Sequence, residues 1–209
     1  MEKMNKVDQA LKMEGREAFE EKVATLVEAE TESPVVVALV DVDHMDPINL
    51  ELGEEEGDRI IIAAATHIRK SIPKETAMYR VGGDEFGMIF SDGLEKEEVL
   101  LLLESVRAGL SLNAKDGRKM HVSFGMATAV DDAQKPMELI RKAESALFRA
   151  KANGGDRVAM AKEEKLVPKT SHYTSDQLKR LTKLSKKEGV GEAILLREAL
   201  DMLLKKYDI

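Results

Sequence analysis

The run Val35-Val36-Val37-Ala38-Leu39-Val40-Asp41-Val42-Asp43, entered through Pro34, constrains the fold more than any other feature of the chain. A continuous β-branched apolar run reads as a strand buried on both faces. Such a strand needs a layer above and a layer below, which predicts an α/β architecture. The flanking segments supply those layers. Residues 5–30 read as a helix, with Val7, Leu11, Phe19, Val23 and Leu26 roughly at helical spacing. Residues 48–71 read as a helix rich in Ile and Ala, broken near Gly53 and Gly57. Segments 77–81 and 87–90 flank Gly82-Gly83 and predict a strand–turn–strand hairpin. Helices are expected over 96–110 and 136–152, and strands over 121–129 and 157–160. The order α-β-α-β-β-α-β-α-β predicts a sheet of mixed parallel and antiparallel strands wrapped by helices.

With 209 residues there is room for one domain of ordinary size and a small appendage. The absence of cysteine excludes disulfides, thiolate zinc sites and cysteine nucleophiles. The N-terminus is charged and amphipathic. The longest apolar stretches, 34–40 and 99–103, are far too short to span a bilayer, so the chain reads as cytoplasmic with no membrane partner. Charge divides the chain. Residues 165–209 hold ten Lys or Arg against six Asp or Glu, whereas the rest carries a net −11. A basic tail on an acidic body predicts two modules: a domain over 1–161, a linker over 162–168, and a second module over 169–209.

Two acidic clusters stand at strand ends. Asp41-Val42-Asp43 closes the buried strand, and Asp84-Glu85 lies in the hairpin turn. Carboxylates at the ends of adjacent strands can hold Mg²⁺ against the phosphates of a nucleotide. Gly82 and Gly83 let backbone approach a phosphate closely. Each signal alone also fits an ordinary solvated turn.

Taken together, the residues resemble a known family. Arg80-Val81-Gly82-Gly83-Asp84-Glu85-Phe86 carries the signature of the GGDEF diguanylate cyclases. Asp41-Val42-Asp43-His44-Met45-Asp46-Pro47-Ile48-Asn49, then Gly53 and Gly57-Asp58, is similar to the family's upstream segment. Ser123-x-Gly125 and the segment from Ala143 to Lys151 resemble its later motifs, and Asp8, Arg16 and Phe19 its N-terminal helix. The resemblance spans about residues 5–160 and implies a palm-like sheet wrapped by helices.

It also implies roles. Asp41 and Asp84 are the implied ligands of Mg²⁺ (or Mn²⁺), with help from the Val42 carbonyl. Glu85 is a second acidic group near the metal and the attacking hydroxyl. Gly82 and Gly83 lie under the α-phosphate, Asn49 and Asp58 bond the guanine edge, and Lys151 neutralises the outer phosphates. Met45 and Asp46 belong to the same nucleotide-binding segment. The implied reaction joins two GTP molecules, one on each of two facing domains, into cyclic di-GMP and pyrophosphate, which requires a homodimer.

Several positions depart from the family. Asp46 replaces a lysine and Met45 a phenylalanine, while Leu50 and Glu54 replace an aspartate and a histidine. Gly155 stands where an arginine often assists Lys151, a gap that Arg157 is placed to fill. The inhibitory R-x-x-D site would begin at Pro73, where the sequence reads Pro73-Lys74-Glu75-Thr76, so product inhibition through it is not expected. Two readings follow: an active nucleotidyltransferase, or a weak or inactive domain that senses a guanine nucleotide or cyclic dinucleotide.

The tail resembles a ribbon-helix-helix module of small bacterial repressors. A short strand over 169–173 precedes Thr174-Ser175-Asp176-Gln177-Leu178, a Gly189 turn and Leu195-Leu196-Arg197-Glu198-Ala199-Leu200. That resemblance implies dimerisation through a two-stranded ribbon. It also implies DNA as a partner, with Pro168, Thr170 and His172 facing outward as base readers and Lys179, Arg180, Lys183, Lys186 and Lys187 near phosphates. A dimerisation module with no DNA role is the alternative.

Overall fold

A computed structural model describes residues 6–29, 33–91, 93–129, 131–161, 169–188 and 191–207. The chain divides into two compact units, Met1–Glu163 and Glu164–Ile209.

In the first unit, helices α1 (Lys6–Leu11) and α2 (Arg16–Glu28) precede strand β1 (Val36–Val42). The single helix expected over 5–30 is therefore two. The chain turns between them, where Lys12 takes a positive φ of 50° and Gly15 bridges to Arg80. Next come α3 (Met45–Leu52) and α4 (Glu54–Ser71), separated at Gly53, whose φ of 88° is costly for any other residue. Gly57, expected as a second break, lies inside α4. The hairpin β2 (Ala77–Arg80) and β3 (Glu85–Phe90) follows, then α5 (Lys96–Gly109), β4 (Val122–Thr128), α6 (Pro136–Ala152) and β5 (Val158–Met160).

The sheet order is β2-β3-β1-β4-β5, with β1 central. β1 runs antiparallel to both neighbours, and only the β4–β5 pair is parallel. The mixed sheet predicted from the element order is thus present. Strand period sorts β1 between two cores. Val36, Ala38, Val40 and Val42 join the cluster built with α1, α3, α4 and α5. Val35, Val37 and Leu39 join the cluster built with α2 and α6. Asp41 and Asp43 continue the second series, so their side chains leave β1 on the α2/α6 face.

The second unit holds α7 (Ser175–Glu188) and α8 (Glu192–Lys206). Thr174 and Gln177 cap α7 reciprocally: the Gln177 N–H donates to Thr174 Oγ1 at 3.2 Å, and the Thr174 N–H to Gln177 Oε1 at 2.9 Å. No strand forms over residues 169–173. A ribbon strand takes its hydrogen bonds from a second copy, and a single chain offers none. The expected linker over 162–168, including Pro168, and the Gly189 turn lie outside the described residues.

Candidate nucleotide site at the end of the central strand

Two rows of residues crossing β3, β1 and β4 build the site. In the first, Leu39 pairs with Gly87 on one side and Gly125 on the other. In the second, one step toward the strand end, Asp41 pairs with Glu85 and Ser123. Cross-strand partners share a face, so the two carboxylates stand side by side over the α2/α6 layer.

The glycine row determines how closely the helices approach. A Cβ on Gly125 would lie 2.1 Å from the Leu147 nitrogen and 2.3 Å from the Ala143 carbonyl, so the α6 backbone rests directly on β4. A Cβ on Gly87 would lie 2.7 Å from the Phe19 ring of α2. One turn from each contact, a cation reaches a carboxylate. Lys151, four residues past Leu147, pairs its Nζ with Asp41 Oδ1. Arg16, three residues before Phe19, stands 3.6 Å from Glu85 Oε2. Arg16 is held firmly, since its Nε donates to the Val81 carbonyl at 3.1 Å and its Nη1 to Glu144 Oε1 at 3.1 Å.

Burial dominates the electrostatics despite these partners. Desolvation raises the Asp41 carboxyl to about 6, opposed by Lys151 and reinforced by Asp84 and Asp43. Glu85 also rises to about 6, mainly by desolvation, with Arg16 opposing and Glu144 and Asp41 reinforcing. Asp84, half-buried, is drawn to the same place by the Val42 N–H, which donates to the Asp84 carbonyl at 3.3 Å. Arg80 closes the hairpin turn from beneath, donating from Nη2 to the Gly83 carbonyl at 2.6 Å while pairing with Asp8. Around Gly83 there is open space on the side-chain direction.

Asp43 is consumed by structure. It is 4% exposed, accepts from Ser123 Oγ at 2.9 Å and from the Asp156 N–H at 2.9 Å, and lies where a Gly155 Cβ would sit. It therefore holds the 154–156 turn. Position 155, with φ 69° and that carboxylate at 2.9 Å, has no room for the arginine of the family pattern. Arg157 donates to the Gly155 carbonyl at 3.0 Å and so braces the same turn.

On α3 and α4, Asn49 and Asp58 are brought close. The Asn49 side chain lies where a Gly57 Cβ would be, at 1.9 Å, one residue before half-buried Asp58. Met45, expected along the nucleotide, is 4% exposed and belongs to the core, its terminal methyl lying near Gly57 as the Asn49 side chain does. Asp46 is exposed in the first turn of α3. In the second unit Thr170 and His172 are exposed, as are Lys169, Ser171 and Tyr173.

The sequence pattern marks Arg16 only as part of the N-terminal helix resemblance and gives Glu144 no role of its own. The signal for both was helical spacing: Arg16 lies one turn before Phe19, and Glu144 seven residues before Lys151.

The donor set suits a hard divalent cation. Two carboxylates and a backbone carbonyl stand at one strand end, and the Asp41 oxygen facing Lys151 is buried without a hydrogen-bond donor of ordinary geometry. Among the described residues no three His, Cys, Asp or Glu side chains form a ready-made cage. Bound phosphate oxygens and water would complete the shell, as is usual for Mg²⁺.

Comparison with known proteins places the architecture. The family model described as diguanylate cyclase, GGDEF domain, matches residues 5–157, and a ribbon-helix-helix domain model matches residues 165–208. The chain belongs to the GGDEF diguanylate cyclase family. It is similar to the probable diguanylate cyclase DgcT of Escherichia coli, 31% identical over 61% of this chain and 29% of that protein. It also resembles the E. coli diguanylate cyclase DosC, 29% identical over 63% of this chain and 29% of that protein. The chain thus spans under a third of these relatives' length. The GGDEF domain of DgcB from Caulobacter crescentus, solved in complex with cyclic di-GMP, shares the fold: TM-score 0.67, 24% identity, 78% of this chain and all of that one covered. No helix among the described residues is long and apolar enough to cross a membrane.

Proposed function

We propose that the chain is a diguanylate cyclase that condenses two GTP molecules into cyclic di-GMP and pyrophosphate as a homodimer. The observation that carries this reading is the carboxylate row: Asp41 and Glu85 side by side on adjacent strands, Asp84 beside them, and a Gly82-Gly83 turn in which Gly82 lies against Glu85 and Gly83 faces open space.

Asp41, Asp84 and the Val42 carbonyl would hold Mg²⁺ or Mn²⁺, which when bound offsets negative charge on the α-phosphate and the attacking oxygen. Glu85, raised to about 6, is ionised at neutral pH yet basic enough to accept the proton of a 3′-hydroxyl. The Asp58 carboxylate accepts from the N1 and N2 hydrogens of guanine, and Asn49 bonds the same edge. Lys151 neutralises the outer phosphates. Positioning and charge compensation carry most of the rate, as in other phosphoryl transfers.

Each domain holds one GTP, so two must face each other. The second unit supports a pairing role. Its groove of about 520 Å³ is lined by Tyr173, Gln177, Leu178, Arg180, Leu181, Leu184 and Leu196, and on α8 Leu200, Met202 and Leu203 are exposed. A second copy is the occupant that a ribbon-helix-helix unit takes, with DNA contacted through Thr170 and His172. The enzyme assay is direct: purified protein with GTP and Mg²⁺, products separated and identified by mass. Cyclic di-GMP with pyrophosphate is the expected result.

Asp46 and the crowded Gly155 favour a second reading, a domain that binds a guanine nucleotide with little turnover. Calorimetric binding of GTP or cyclic di-GMP without product would select it.

A further inference from the structure

Both carboxylates of the row carry a cation from the protein, but the two cations are held differently. Arg16 is pinned by the Val81 carbonyl and by Glu144 as well as standing near Glu85. Among the described residues Lys151 pairs with Asp41 alone; its side chain is 36% exposed and its stem is flexible, while Asp41 is 16% exposed. Of these two cations the ammonium is thus the one less firmly held and freer to leave. It rests on an Asp41 oxygen that has no other donor and that belongs to the donor set suited to a divalent cation.

We propose that Lys151 is a placeholder cation. In the nucleotide-free protein it occupies Asp41 and so weakens the site for free divalent metal. When metal and triphosphate arrive together, the phosphates draw the ammonium away and the metal takes its place on Asp41. One cation replaces another, so the carboxylate keeps a positive partner in both states. This matters because burial already pushes that carboxylate toward its neutral form. A compact ammonium on a four-carbon stem suits the exchange better than a pinned guanidinium. The site then favours loading as a metal–nucleotide complex over binding metal alone. The inference rests on the cyclase reading, because it assigns Asp41 to the metal.

The test is Mn²⁺ binding, read from the electron paramagnetic resonance of free Mn²⁺ at about pH 8, where carboxylates raised to about 6 are ionised. The full chain is compared with Lys151→Gln. Lys142→Gln, which removes one charge from the same helix, serves as the control. Without nucleotide, Lys151→Gln should bind Mn²⁺ about fivefold more tightly than wild type, the factor expected for one unit charge removed at close range. Lys142→Gln should stay within about twofold, being remote and screened. With a non-hydrolysable GTP analogue present the order should reverse, because the phosphates then lack their ammonium. Nucleotide-free Mn²⁺ affinity that is unchanged or weaker in Lys151→Gln, with Mn²⁺–nucleotide binding intact, overturns the placeholder alone. Absence of Mn²⁺ binding even with nucleotide overturns the cyclase reading and the placeholder with it.

Discussion

Asp41 and Glu85 sit in surroundings that disfavour their charge. Their carboxyls, raised to about 6, lie above the unfolded values of 3.8 and 4.5. Between about pH 4 and 6 the native protein therefore retains protons that the unfolded chain has released. Stability contributed by these groups is full at the acidic end and is lost as pH rises through that window. Asp41→Asn keeps the shape and removes the charge. It should raise the Tm of the nucleotide-free protein at pH 7 by about 2–4 °C, on the order of 1 kcal/mol, and flatten the pH 4–6 slope. The same variant, like Asp84→Ala, should lose at least about 100-fold in turnover, since a site tuned for chemistry is not tuned for stability. Thermal scans across pH together with product assays check both halves; a lower Tm at pH 7 would contradict the electrostatic account. Asp46 poses the opposite question. Exposed in the first turn of α3, its carboxylate is favoured by the helix N-terminus, which accounts for it structurally without a nucleotide. Asp46→Lys should tighten GTP binding about fivefold if the side chain faces the phosphates. Calorimetry showing no gain would place it elsewhere.

The elements matter because two glycines let two helices settle onto the sheet. Gly125 meets α6 backbone, which cannot yield without moving the helix, whereas Gly87 meets the edge of the Phe19 ring, which can turn aside. Gly125→Ala should therefore cost about 3 kcal/mol and Gly87→Ala about 1 kcal/mol in urea unfolding. Gly125→Ala should also lose more activity than its stability loss explains, because displacing α6 carries Lys151 off the carboxylate row. Equal costs at the two positions would mean that α6 has slack. Helical periodicity over 5–30 was legible, but the turn at Lys12–Gly15 was not. It is made by tertiary bonds, among them the Arg80 N–H donating to the Glu14 carbonyl at 2.9 Å.

The proposed cyclase needs two half-sites brought together, and the second unit is the candidate for doing so. In a ribbon of two antiparallel strands about five residues long, the attached domains leave from ends roughly 17 Å apart. Residues 162–168 add reach on each side. Tethering of this kind turns an encounter between domains into an intramolecular one. The full chain should then show specific activity independent of concentration. A 1–164 truncation should show specific activity that rises with protein concentration, as pairing becomes bimolecular. Light scattering alongside the assay decides it. A truncation that remains a stable, fully active dimer at nanomolar concentration would assign pairing to the first unit.

The candidate site residues, and the strands and helices that bear them, are legible in the sequence itself. The buried run before Asp41, the Gly82-Gly83-Asp84-Glu85 turn and the apolar faces of 96–110 and 136–152 are local patterns, and local patterns predict local structure. What only the tertiary structure decided is pairing. Strand period makes Asp41 and Asp43 equivalent, yet one reaches Lys151 and the other is spent on Ser123 and Asp156. The same holds for Met45, adjacent to the site in sequence but buried in the core. It holds too for Arg16, distant in sequence yet beside Glu85. The reason is physical. Which carboxylate meets which cation depends on register across three strands and on how far two helices sink onto two glycines. These quantities arise from contacts between segments as much as 128 residues apart, as between Arg16 and Glu144.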